Sequence, residues 1–169
     1  MNTKIYTLFA VVFLSLGITV GVRAGELPAV RLNEVVSNPL SGEKEWVELY
    51  NAGDTAVDLS GWKLTDLVDP QGTPTPETLK ALTGSIEPGS YLVVEVGTTK
   101  RNNAGDSVGL LDASGAEVDR VTMGPNVTGY TPNSRNPGTA GMSAARLENA
   151  WVVSETSKGA VNIPPSWFK

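Results

Sequence analysis

Apolar and polar side chains alternate along most of this chain, and Gly, Pro and Asn interrupt the alternation at short intervals. No other feature limits its fold so strongly, because period-two patterning suits half-buried strands, and the chain after residue 24 offers no long 3.6-residue apolar repeat. Val30 to Ser37 reads as a first strand. Asn38-Pro39 stops it, since proline forces its predecessor out of the helical region and cannot donate to a ladder. Lys44 to Asn51 is a second, with Trp46, Glu48 and Tyr50 on one face and Val47 and Leu49 on the other. Ala56 to Thr65 is a third, bent at Ser60-Gly61. Ile86 ends a short strand that Pro88-Gly89 turns into Tyr91 to Val96. Ser107 to Asp112 and Ala116 to Met123 form a hairpin around Ala113-Ser114-Gly115, where Gly115 suits a left-handed position. Ala150 to Ser154 adds one more strand. The pattern predicts an all-β fold, an antiparallel sandwich or barrel.

Two stretches depart from that rhythm. Residues 66–78 hold three prolines without alternation, and residues 124–145 are rich in Gly, Pro, Asn and Thr. Both read as surface loops, and a loop as long as the second is usually functional or disordered.

The first 24 residues read as an address. Lys4 is followed by an uncharged run from Ile5 to Val22, and Val22-Arg23-Ala24 presents small or aliphatic residues where a signal peptidase reads. Cleavage before Gly25 makes residues 1–24 a signal peptide and sends residues 25–169 outside the cytoplasm, secreted or in the cell envelope. The alternative is an uncleaved membrane anchor, which the length of the run just permits. Removing 24 of 169 residues leaves 145, enough for one domain that buries about two-thirds of its unfolded surface. Lys4 and Arg23 leave with the leader and no acid does, so the net charge moves from -5 to -7.

Composition then removes whole classes of chemistry. With no histidine there is no Ser-His-Asp or Cys-His nucleophile pair and no imidazole zinc site. With no cysteine there is no disulfide framework or iron–sulfur cluster, so packing alone must hold an exported domain together. The acidic balance argues against a nucleic-acid partner, which calls for a basic footprint. No cofactor is expected.

Several residues are nonetheless candidates. Trp46 and Trp62 are either an aromatic platform for sugar or peptide, or ordinary sandwich packing. Glu34 and Glu48 lie on strands that are potential neighbours, and paired carboxylates can act as acid and base in glycoside hydrolysis. The plainer expectation has Glu48 facing solvent and Glu34 accepting hydrogen bonds from an adjoining turn. Ser41-Gly42-Glu43-Lys44 fits the bare S-x-x-K pattern, but it sits in a polar connection without the companion motifs of that chemistry. Asp66 and Asp69, with Asp54 and Asp58 nearby, are calcium candidates that lack a recognised loop spacing. Asn126-Val127-Thr128 is a glycosylation sequon. Trp167-Phe168, after Pro164-Pro165, either seals a sheet edge or anchors a partner, which makes these two the ligand-binding candidates.

Five ordered segments carry a resemblance. Arg31-Leu32-Asn33-Glu34-Val35-Val36 is followed by Glu45-Trp46-Val47-Glu48-Leu49-Tyr50-Asn51 and Val57-Asp58-Leu59-Ser60-Gly61-Trp62-Lys63-Leu64-Thr65-Asp66. Ile86-Glu87-Pro88-Gly89-Ser90-Tyr91-Leu92-Val93-Val94 and Asn102-Asn103-Ala104-Gly105-Asp106-Ser107-Val108-Gly109-Leu110-Leu111-Asp112 complete the set, with Val118-Asp119-Arg120-Val121 closing it. Together they resemble lamin tail domains of the prokaryotic, extracellular type. Arg101 stands where that pattern has an apolar residue. The likeness covers residues 30–123, with 124–145 as a long loop and 146–169 as a C-terminal strand and tail. It implies an immunoglobulin-like β-sandwich and no shared catalytic residues. It also implies an accessory or interaction module, often fused to a hydrolase, and this chain shows no hydrolase domain. The expected partner is an extracellular protein or polysaccharide. The other expectations are a structural component assembling through its sheet edge and tail, or an accessory subunit of a secreted hydrolase. A membrane partner enters only if the leader stays uncleaved.

Overall fold

The computed structural model describes residues 27–68, 75–97, 107–123 and 140–166. The leader, Asp69, the sequon at Asn126 and the terminal Trp167-Phe168 lie outside those residues. Eleven strands, and no helix, make up the described secondary structure. They are β1 (Val30–Val36), β2 (Glu45–Asn51), β3 (Val57–Asp58), β4 (Lys63–Val68), β5 (Thr75–Ala81), β6 (Ser85–Ile86), β7 (Tyr91–Gly97), β8 (Ser107–Leu111), β9 (Glu117–Thr122), β10 (Met142–Leu147) and β11 (Ala150–Glu155). A five-stranded antiparallel sheet runs β11-β10-β1-β2-β7, a four-stranded one runs β5-β4-β8-β9, and β3 pairs with β6. The all-β antiparallel architecture is the one the alternation called for, and it fits the immunoglobulin-like sandwich that the resemblance implies.

Alternation explains the core. Val47 and Leu49 of β2 point inward to join Leu32 and Val35 of β1, and Leu64, Val108, Leu110 and Val121 come from the other sheet. Leu59, Leu82 and Ile86 join the same cluster. Gly115 holds φ +85° in the β8–β9 turn, where Asp112 accepts from the backbone N–H groups of Ser114 and Ala116.

Two stretches read as loop contain strand. β4 extends to Val68 and β5 begins at Thr75, so residues 66–68 and 75–78 of the stretch read as a surface loop are paired strand. Pro76 is tolerated because, among the described residues, β5 is the outermost strand of its sheet and only β4 pairs with it. β10 begins at Met142, inside the segment read as loop to residue 145. Its inward and outward positions carry Ser143, Ala144 and Ala145, whose side chains are too small to produce a visible apolar alternation.

One irregularity organises the centre. The β1–β2 register shifts between Leu32 and Glu34, which makes Asn33 an extra residue, a bulge. The backbone of Leu32 is then served by side chains. Its N–H donates to Asp119 Oδ2 at 2.9 Å, and its carbonyl accepts from Arg146 Nε at 2.8 Å. Arg146 Nη2 and Asp119 Oδ2 meet at 2.6 Å, with both side chains at most a tenth exposed. The guanidinium also lies over the Trp151 ring, 4.5 Å from its centroid. Burial pulls the Arg146 pKa down and Asp119 pushes it back up.

Removing one partner from a buried pair leaves the other charge uncompensated. Asp119→Ala is therefore expected to cost about 3 kcal/mol in urea unfolding. Glu117→Ala, which breaks the exposed pair with Arg120, should cost no more than about 0.5 kcal/mol. Equal losses in the two variants would remove the clamp its importance.

Candidate functional site

The outer face of the five-stranded sheet holds the two carboxylates singled out above. The register sets Glu34 of β1 directly opposite Glu48 of β2, and both are 0 % exposed. Glu48 does not face solvent. Alternation correctly turned it away from the core, but the chain after β11 crosses this face and covers it.

That arm satisfies the acids with its own donors. Ser157 gives its backbone N–H and its hydroxyl to the Glu34 carboxylate, at 3.0 and 2.8 Å. The Gly159 N–H donates to Glu48, and Asn33 Nδ2 donates to the other Glu48 oxygen at 2.8 Å. Glu34 thus accepts hydrogen bonds as expected, but from Ser157, 123 residues away in the arm, and not from an adjoining turn. Asn162 fixes the arm further on. Its amide donates to the carbonyls of Asn33 and Arg146 at 3.0 and 2.7 Å, and its oxygen, 2.9 Å from Ser157 Oγ, shares that hydroxyl's one proton with Glu34. The bulge makes this possible, because it lets the consecutive residues Asn33 and Glu34 both meet the arm.

Burial raises the Glu48 pKa. The hydrogen bonds from Gly159 and Asn33 oppose that rise, and the charge of Glu34 adds to it.

Pinning Ser157 and Gly159 fixes Lys158 between them, with its ammonium over the Trp46 ring, 5.6 Å from the centroid. Val36, Trp46 and Glu95 form one row across β1, β2 and β7. They share a cleft of about 340 Å³ with Leu40, Glu43, Lys44, Thr156 and Lys158. Lys44 Nζ and Glu95 Oε2 meet at 2.8 Å on its rim, and both side chains are more than half exposed. Each holds the other in its charged form, the lysine pKa raised and the glutamate pKa lowered. Gly141, at φ +73°, carries Leu40 so close that a Cβ would meet its side chain at 3.0 Å.

The other candidates stand apart. Trp46 is 4 % exposed, and Trp62 is half-buried against the core, so packing accounts for both rings. Asp66 lies in β4 at 1 % exposure. Asp58 is exposed and accepts the Ser60 N–H, which together with the Ser60 hydroxyl lowers its pKa. Among the described residues no three His, Cys, Asp or Glu side chains gather as metal ligands. Ser41 and Lys44 sit in the exposed β1–β2 connection. Sequence reasoning missed Ser157, Lys158, Gly159 and Asn162. Their roles depend on which strand they cover, and only the polar content of the segment hinted at them.

Glu48 yields a pH prediction. Its raised pKa means that the folded state holds the proton more tightly than the unfolded chain. That stabilisation is fully present below the ordinary value of 4.5 and is lost as pH rises through the folded value. Wild-type stability relative to Glu48→Gln should therefore be greatest in acid and fall towards neutral pH, as followed by urea midpoints. A difference that stays flat with pH would contradict the assignment.

A family model described as Lamin Tail Domain matches residues 24–125. That span ends before β10, so Arg146 and the arm lie beyond it. No curated protein matches the chain.

Proposed function

The chain belongs to the lamin tail domain family, and from that premise we propose that it is an exported, non-enzymatic module that binds an extracellular protein or polysaccharide. The observation that carries this reading is the fate of Glu34 and Glu48. Their lone pairs are taken by donors from the chain's own arm, and each is 0 % exposed. Carboxylates held in that way serve packing and leave no room for a substrate between them. Beside them lies an open cleft whose mixed polar and apolar lining suits recognition. The acidic sequence supports a partner other than nucleic acid.

Export rests on the leader alone. Intact-mass analysis of protein recovered from expressing cells should give a chain that begins at Gly25. A mass that retains Met1 to Ala24 makes the segment an anchor and places the domain at a membrane surface.

A specific feature favours a second reading, assembly through the sheet edge and tail. Val161 and Ile163 are 74 % and 50 % exposed. Ile163 also lines a groove of about 500 Å³ with Met142, Val153, Pro164 and Pro165 beside the edge strand β11. Assembly predicts association at high concentration in sedimentation runs, abolished by Ile163→Ser. A monomer throughout the concentration range would end that reading.

A further inference from the structure

We infer that the cleft over Trp46 takes a neutral, polyhydroxylated ligand, one or two sugar rings of an uncharged polysaccharide. The inference rests on the binding-module reading and names its ligand class.

The charges on the wall come in balance. Lys44 and Lys158 face Glu43 and Glu95, and one of each is already joined in the 2.8 Å pair. An anionic ligand would have to draw Lys44 away from Glu95 and would meet Glu43 as well. A cationic ligand has the mirror-image difficulty at Lys158. A hydroxyl both donates and accepts, so vicinal hydroxyls can bridge an ammonium and a carboxylate while the pair stays intact. Thr156 contributes another group of the same dual kind.

The apolar part of the lining fits the other half of a sugar. Val36 and Leu40 offer aliphatic surface to ring C–H groups, and Leu40 is 54 % exposed and available for contact. The Trp46 indole, packed beneath Lys158, forms the floor under the lysine stem. A volume of about 340 Å³ falls at the small end of the range for ligand sites, which points to a short stretch of polymer.

Placement of the arm is what builds this site. Ser157 and Gly159, pinned on Glu34 and Glu48, hold Lys158 and Thr156 against the sheet. The buried acids are thus positioning residues for a wall of the cleft and do not touch the ligand.

Affinity electrophoresis of the full chain tests the proposal, with gels containing a neutral glucan, a neutral mannan, polygalacturonate or polyglutamate. Lys158→Ala and Glu95→Ala remove one donor and one acceptor at exposed positions, and unfolding midpoints confirm that both variants fold. Retardation is expected in a neutral gel. It should weaken by about tenfold or more in apparent dissociation constant in each variant, the loss of one charged hydrogen bond. Retardation in neutral gels that neither variant changes overturns the site. Retardation only in acidic gels, lost in Lys158→Ala, overturns the ligand class and leaves the module reading standing. Migration unaltered by all four polymers overturns the ligand class, and a failure to find any bound protein by cross-linking in the native extracellular fraction then removes the module reading too.

Discussion

A single extra residue in β1 sets the terms for the rest of the molecule. Asn33 shifts the register against β2 beside Leu32, whose buried peptide N–H and carbonyl bond side chains, while Asn33 and Glu34 both meet the arm. An unpaired buried amide is costly, so something must supply it with bonds. Asp119 and Arg146 do so on the inner side and tie β9 and β10 to the central strand. On the outer side Asn33 and Glu34 face the arm, which folds down over them. Core clamp and outer latch are two answers to one local irregularity.

The outer latch also shows why a buried acid pair need not mean catalysis. Two carboxylates side by side repel and lose hydration, so such a pair survives only where donors converge. Here the donors are backbone N–H groups at Ser157 and Gly159, reinforced by the Ser157 hydroxyl and the Asn33 amide. What the arrangement supplies is a fixed path for the arm, and with it a shaped cleft at the edge of the fixed region.

Much of the architecture was legible in the residues, and the exceptions have identifiable causes. β1, β2 and the β8–β9 hairpin follow from alternation and from Gly115, because both are local signals. β5 was hidden by Pro76, which reads as a strand breaker unless the strand is known to lie at an edge. β10 was hidden by Ser143, Ala144 and Ala145, whose burial depends on close sheet approach and not on bulk. Glu48 was placed on the correct face and given the wrong surroundings. Alternation tells which way a side chain points, and it carries no information about a segment that returns 111 residues later to cover it. The cleft was invisible for the same reason: β1, β2 and β7 supply its floor, while the chain beyond β11 supplies a wall.

The position of β1 has a consequence for timing. The first strand of the domain is the middle strand of its sheet, with β2 on one side and β10 on the other. Arg146, which completes the clamp on Leu32, arrives 114 residues after it. Contacts of such long range form late and slowly, because loop closure must come before any reward from pairing. During synthesis the β1 flank that awaits β10 stays open until almost the whole chain has emerged. A chain emerging from the ribosome would therefore carry an unfinished sheet, exposed enough to need escort, until its last fifth is free.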